Sequence, residues 1–114
     1  MAIDEFQTHK ISHLLAELCH SKIPDHAQDK VKLDFQVLSN SVTLFENRKH
    51  FRNESIWVKV NIAQFRYDPS DGMWTLYWWR HTGKWFVYEL SKPTADIATL
   101  VIEVKSDPTG IFWG

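Results

Sequence analysis

Residues 56–90 read IWVKVNIAQFRYDPSDGMWTLYWWRHTGKWFVYEL and hold five of the six tryptophans and all three tyrosines. Two glycine-bearing turn signals cut this stretch into three runs of β-branched and aromatic residues, the composition that pleated strands favour. In Tyr67-Asp68-Pro69-Ser70-Asp71-Gly72-Met73, Pro69 presets the first corner of a type I turn, Asp68 can bond its own backbone, and Gly72 supplies a residue at positive φ. In Arg80-His81-Thr82-Gly83-Lys84, Gly83 stands where a short hairpin loop with a bulge needs it. The stretch therefore predicts a three-stranded antiparallel meander.

Its faces are unusual. Ile56, Val58, Val60 and Ile62 alternate, and then the apolar phase slips to Ala63, Phe65 and Tyr67, with Gln64 and Arg66 opposite. A slip of one residue implies a bulge near Ile62. The second run is apolar on both sides, with Trp74, Leu76 and Trp78 against Met73, Tyr77 and Trp79; the third sets Trp85 and Val87 against Phe86, Tyr88 and Leu90. A solvated antiparallel sheet would alternate apolar with polar, so both faces need a cover or one stands as an aromatic platform.

The flanking segments complete an α+β fold. Asp4 with Gln7 three residues on has capping-box spacing, and Ile11, Leu14, Leu15, Leu18 and Cys19 recur at helical intervals, which predicts an N-terminal helix over residues 4–21 that Pro24 ends. Val31, Leu33, Phe35 and Val37 alternate with polar residues as a half-buried strand over 31–38; Ser39-Asn40 is a turn, and residues 41–46 return as its partner. With strands at 56–67, 73–80 and 84–90, the sheet has five strands in the order 1-2-3-4-5. Thr94 offers an N-cap, and Ile97, Leu100, Val101 and Val104 predict a C-terminal helix over 95–105. Both helices carry one apolar stripe and can pack on one face of the sheet. The apolar tail 107–114, turned by Asp107-Pro108-Thr109-Gly110, is expected to fold Phe112 and Trp113 onto the sheet or into a partner chain.

Composition bounds the function. A chain of 114 residues makes one domain, and the single Cys19 excludes an internal disulfide and suggests a reducing compartment. The start MAIDEF lacks the basic and apolar regions of a signal peptide and no apolar run has membrane-spanning length, so a cytoplasmic, non-membrane protein is expected. A net charge of −1 argues against a generally basic nucleic-acid binder and leaves a local patch open.

Candidate chemistry is sparse. His9 and His13 sit at i, i+4, with Glu17 next in the stripe; the spacing can chelate a metal but equally describes a solvated helix face, and no cofactor is implied. Cys19 falls among the leucines as a small core residue. Arg48, Lys49, His50 and Arg52 surround Phe51 in the connection after the second strand and can hold a phosphate or carboxylate by charge-assisted bonds; Glu46 and Glu54 partly balance them, as in an ordinary solvated loop. No glycine-rich phosphate loop, Gly-x-Ser-x-Gly or paired-cysteine pattern is present. Asp34, Glu46, Asp68, His50 and His81 are left as groups that an enzyme would have to converge in space, and no catalytic residue is assigned.

NSVTLFE (residues 40–46), His50-Phe51-Arg52, AQFRYD (63–68), WTLYW (74–78) and the closing DPTGIFWG (107–114) together resemble a family of short bacterial proteins grouped as a domain of unknown function. The likeness spans nearly the whole chain. It implies a bacterial, single-domain, cytoplasmic protein, and it transfers no activity, cofactor or site residue.

Three function classes follow. The favoured one is a non-enzymatic protein-interaction or self-association module, a homodimer that buries an aromatic sheet face together with Phe112 and Trp113. The alternative is a nucleic-acid or anionic-ligand binder in which Trp57, Trp79 or Tyr77 stack bases while Arg48, His50, Arg52, Arg66 and Arg80 meet phosphates. A small enzyme is the third.

Overall fold

The computed structural model describes residues 3–22, 31–50, 52, 53 and 55–113. Its elements are α1 (Glu5–Lys22), β1 (Val31–Leu38), β2 (Ser41–Lys49), β3 (Trp57–Asp68), β4 (Met73–Arg80), β5 (Lys84–Val87) and α2 (Ile97–Ser106). The strands form one antiparallel sheet in sequence order, and a helix stands at each end of the chain, the α+β meander that the alternation and turn chemistry predict.

The turns close as their residues dictate. Gly72 (φ +68°) donates its N–H to Asp68 O at 2.9 Å, and Gly83 (φ +90°) donates to Arg80 O at 2.8 Å. Ser39 takes φ +54° at the first corner of the β1–β2 hairpin, where Leu38 pairs with Ser41. Asn40 joins that hairpin to β3: its carbonyl accepts Tyr67 N at 2.8 Å and its amide donates to Tyr67 O at 3.2 Å.

Both helices lie on one side of the sheet. Ile11, Leu15 and Leu18 of α1 and Ile97, Leu100, Val101 and Val104 of α2 share a core with Val42, Leu44, Ala63, Phe65, Trp74 and Leu76. Asp4 caps α1 by accepting Gln7 N at 2.7 Å; Pro24, expected to end that helix, lies outside the described residues. Trp74 is only 1% exposed, and the burial of so large a ring is among the strongest apolar contributions available to a small domain.

Three boundaries differ from the sequence expectation. β2 continues through Lys49, so Arg48 and Lys49 belong to a strand rather than to a loop. Arg48 pairs with Val31, where β1 begins as expected, and the backbone bonds of that ladder outweigh the local charge. β5 stops at Val87 rather than residue 90, because Thr94 takes over the edge of β4, exchanging bonds with Trp74 at 2.7 and 3.0 Å. The cap of α2 is Asp96, whose carboxylate accepts Ala98 N at 3.1 Å; Thr94 Oγ1 instead accepts Asp96 N.

The tail folds onto the helix side. Phe112 is buried against Tyr88 with ring centroids 5.0 Å apart, and Trp113 Nε1 donates to Val104 O at 2.7 Å. Both residues are thus engaged by the chain's own core.

Candidate functional site

The side-chain phase of β3 decides what the helix-free face carries. Leu44 pairs with Ala63 and Phe45 with Asn61, which leaves Ile62 as the extra residue of a bulge at the predicted position. Trp57, Lys59 and Asn61 therefore share a face with Gln64 and Arg66. Were Ile62 paired in unbroken alternation, the two halves of the strand would carry these residues on opposite sides. The register brings Lys32 and Asp34 of β1, Phe45 and Lys49 of β2, Tyr77 and Trp79 of β4 and Trp85 of β5 to the same surface.

On that surface cations sit over rings. Lys49 is directly opposite Trp57, and the ammonium groups of Lys32 and Lys49 stand 5.3 and 5.7 Å from the Trp57 ring. Lys59 Nζ is 4.3 Å from the Phe45 ring centroid, and Arg66 Cζ is 3.8 Å from that of Tyr77. These separations fall within cation–π range. A polar chain fixes Arg66: its Nε donates to Gln64 Oε1 at 2.6 Å, and Gln64 Nε2 donates to Thr43 Oγ1 at 2.9 Å. At the far side Trp79 and Trp85 meet edge to face at 5.0 Å.

The local electrostatics oppose the overall charge. Among the described residues this face carries four cations, Lys32, Lys49, Lys59 and Arg66, against the carboxylates of Asp34 and Asp68. Asp68 is committed to its turn, where the Ser70 hydroxyl (2.7 Å) and backbone N–H (2.9 Å) hold its carboxyl below the usual carboxylate range. None of the four cations pairs with a carboxylate among the described residues. Trp57 is 41% exposed, so its ring stays open to a ligand. Such a surface can stack planar groups while meeting a negatively charged backbone.

The sequence candidates divide between the two sides. Trp57, Arg66 and Trp79 come together on the helix-free face. Arg48 and Arg80 alternate with them and project to the other side, Arg48 bonded to Glu46 and Arg80 over the Phe86 ring at 5.2 Å. The hydrogen bond and charge of Glu46 raise the Arg48 pKa further and keep it cationic. His50 and Arg52 lie past the end of β2, where His50 Nδ1 accepts Arg52 N at 3.1 Å; Phe51 and Glu54 are outside the described residues. His9 and His13 are exposed on α1, and no group of three or more metal-ligating side chains occurs among the described residues. Lys32, Lys59, Phe45 and Trp85 were not among the candidates. Lys32 and Lys59 were legible as the polar partners of alternating Val31/Leu33 and Val58/Val60, but only the pairing register shows that they meet.

Cys19 is half-buried, and burial, with Asp34 adding to it, pushes its thiol up to about 11. It is held as a neutral thiol rather than a nucleophile. No helix among the described residues is long and apolar enough to cross a membrane.

A family model described as "Domain of unknown function (DUF3024)" matches residues 3–114. The chain belongs to this family. No curated protein and no solved structure matches it. In this DUF3024 chain the terminal DPTGIFWG stretch works as a clasp. Asp107 ends α2 in the left-handed region (φ 44°), its carbonyl accepts Gly110 N at 3.1 Å, and its two carboxylate oxygens accept Phe112 N at 3.2 Å and Trp113 N at 2.9 Å. One aspartate thereby turns the chain and pins both aromatic residues.

Proposed function

We propose that the protein binds single-stranded nucleic acid on the helix-free face of its sheet. The observation that carries this reading is Trp57, a half-open indole flanked by Lys32 and Lys49, with Lys59 and Arg66 further along the same surface. Rings that stack bases beside cations that meet phosphates are the common requirement of single-strand binding, and each stacked base contributes about 1–3 kcal/mol. A symmetric dimer through this face, which the apolar pattern alone favours, would bring together two surfaces that each carry an excess of cations, and like charges oppose such pairing. The tail that was to enlarge a dimer interface is already spent on the chain's own core.

The test is a fluorescence titration with oligo-dT over a range of salt. Four cations on phosphates give a slope of log K against log salt of about −3, from roughly −0.7 per contact on single strands. Absence of binding at low salt, or binding indifferent to salt, overturns the reading.

A further inference from the structure

β4 pairs with β3 only along residues 63–68, so residues 57–62 have β2 on one side and no strand among the described residues on the other. A notch of about 440 Å³ opens there, lined among others by Glu46, Arg48, Ile62, Trp79, His81 and Trp113. Its size falls in the range of small-molecule sites, roughly 300–1,000 Å³. Trp79 and Asn61 reach it from the helix-free face, so the notch adjoins the cation-rich surface.

Glu46 is the one charged residue buried among the described residues, with a side chain 8% exposed. Its Oε2 accepts Arg48 Nε at 2.5 Å, while Oε1 has no hydrogen-bond partner among the described residues. Among the described residues no buried side-chain oxygen or nitrogen lacks a partner, so Oε1 keeps some exposure, and Glu46 lines the notch. A buried carboxylate retains its charge at lower cost when further donors satisfy its lone pairs. Arg48, tied to Glu46 through Nε, also lines the notch and has further N–H groups to donate, so one wall offers an incoming group both an acceptor and donors. The indoles lining the notch are held in place, Trp79 against Trp85 at 5.0 Å and Trp113 by its bond to Val104 O at 2.7 Å.

The ligand that fits is planar, stackable and neutral, with adjacent donors and an acceptor on one edge. We infer that the notch is a guanine pocket, in which Glu46 Oε1 accepts from the N1–H and N2 amine, Arg48 donates to O6, and an indole carries the ring face. Unpaired bases are read in this way, on their Watson–Crick edge and by stacking. Uracil and thymine set one N–H between two carbonyls that a carboxylate repels, and adenine and cytosine offer a single amine. The inference rests on the nucleic-acid reading only in that a bound strand delivers the base.

Affinities for oligo-dT, the same oligomer with one central dG, and one with dA in that place decide the matter in the unaltered protein. The dG oligomer is expected to bind about tenfold or more tighter than the other two, the discrimination of a good bidentate base contact, and Glu46→Gln is expected to erase the preference while leaving oligo-dT affinity unchanged. Equal affinity for all three overturns the pocket and leaves the proposed binding face standing. If no oligomer binds, the binding face fails, and guanosine alone then tests the pocket: shifts of the Trp79 and Trp113 indole N–H resonances with guanosine but not adenosine uphold it, and no shift overturns it.

Discussion

The guanidinium of Arg66 lies over Tyr77, its Cζ 3.8 Å from the ring centroid, while its Nε is bonded to Gln64. Arg66 therefore serves two ends, covering an aromatic ring and presenting charge. Arg66→Ala is expected to cost about 1 kcal/mol through lost packing and cation–π contact, a fall in Tm of roughly 4–8 °C for a domain near this size. It should also lower the salt slope of oligo-dT binding by about one contact. Thermal unfolding and salt titration of one variant measure both effects.

Trp57 is open where Tyr77 is covered, and its ring contributes little to the core. Trp57→Ala should leave the unfolding midpoint within about 0.5 kcal/mol of the parent while weakening oligo-dT binding by about 1–3 kcal/mol. An equal loss of stability and affinity would place the indole in the core instead.

Gly83 sits at φ +90°, and a Cβ added there would meet nothing within 4 Å. The cost of Gly83→Ala is thus one of backbone conformation alone, about 1–2 kcal/mol. Denaturant unfolding should show a lower midpoint with an unchanged m-value, since no buried surface is altered.

Asp107 holds the tail by two carboxylate bonds to backbone N–H groups. Bonds to a charged acceptor are worth about 1.5–3 kcal/mol each in mutational series, so Asp107→Ala, which removes two, should destabilise by about 3 kcal/mol or more. Amide exchange of Phe112 and Trp113 should accelerate in the variant, and Asp107→Asn should retain part of the protection.

The raised Cys19 thiol makes a pH prediction whose sign follows from proton binding. Below pH 9.0 the thiol is protonated in the folded and unfolded chain and contributes nothing. Between 9.0 and about 11 the unfolded chain has lost that proton and the folded chain has kept it, so rising pH favours unfolding. Over this window wild type should lose stability relative to Cys19→Ala, and alkylation of the folded protein should stay slow until the upper end.

Local chemistry accounts for how much was legible beforehand. Turn residues and the apolar slip at Ile62 are short-range signals, and they specified the meander, its hairpins and the bulge. The reach of β2 was hidden because Arg48 and Lys49 carry loop-like charge, and only the partner residues Val31 and Trp57 explain why they pair. The candidate arginines were grouped by charge, and only Arg48 and Arg52 by nearness in sequence. Strand parity then separated Arg66 from Arg48 and Arg80, and an alternation count carried across the hairpins would have done the same. The destination of the tail depended on Tyr88 and Val104, contacts with no local signature.

The inversion at Ile62 leaves the helix-free surface exposed to an unusual kind of loss. An extra residue between Leu44 and Phe45, paired with Ile62, would turn Trp57 and Lys59 toward the helices while Gln64 and Arg66 kept their places, and the patch would be split with every one of its members still encoded. Among descendants of this chain, the length of β2 opposite Ile62 is therefore a more telling record of whether the surface persists than the identity of any lysine on it.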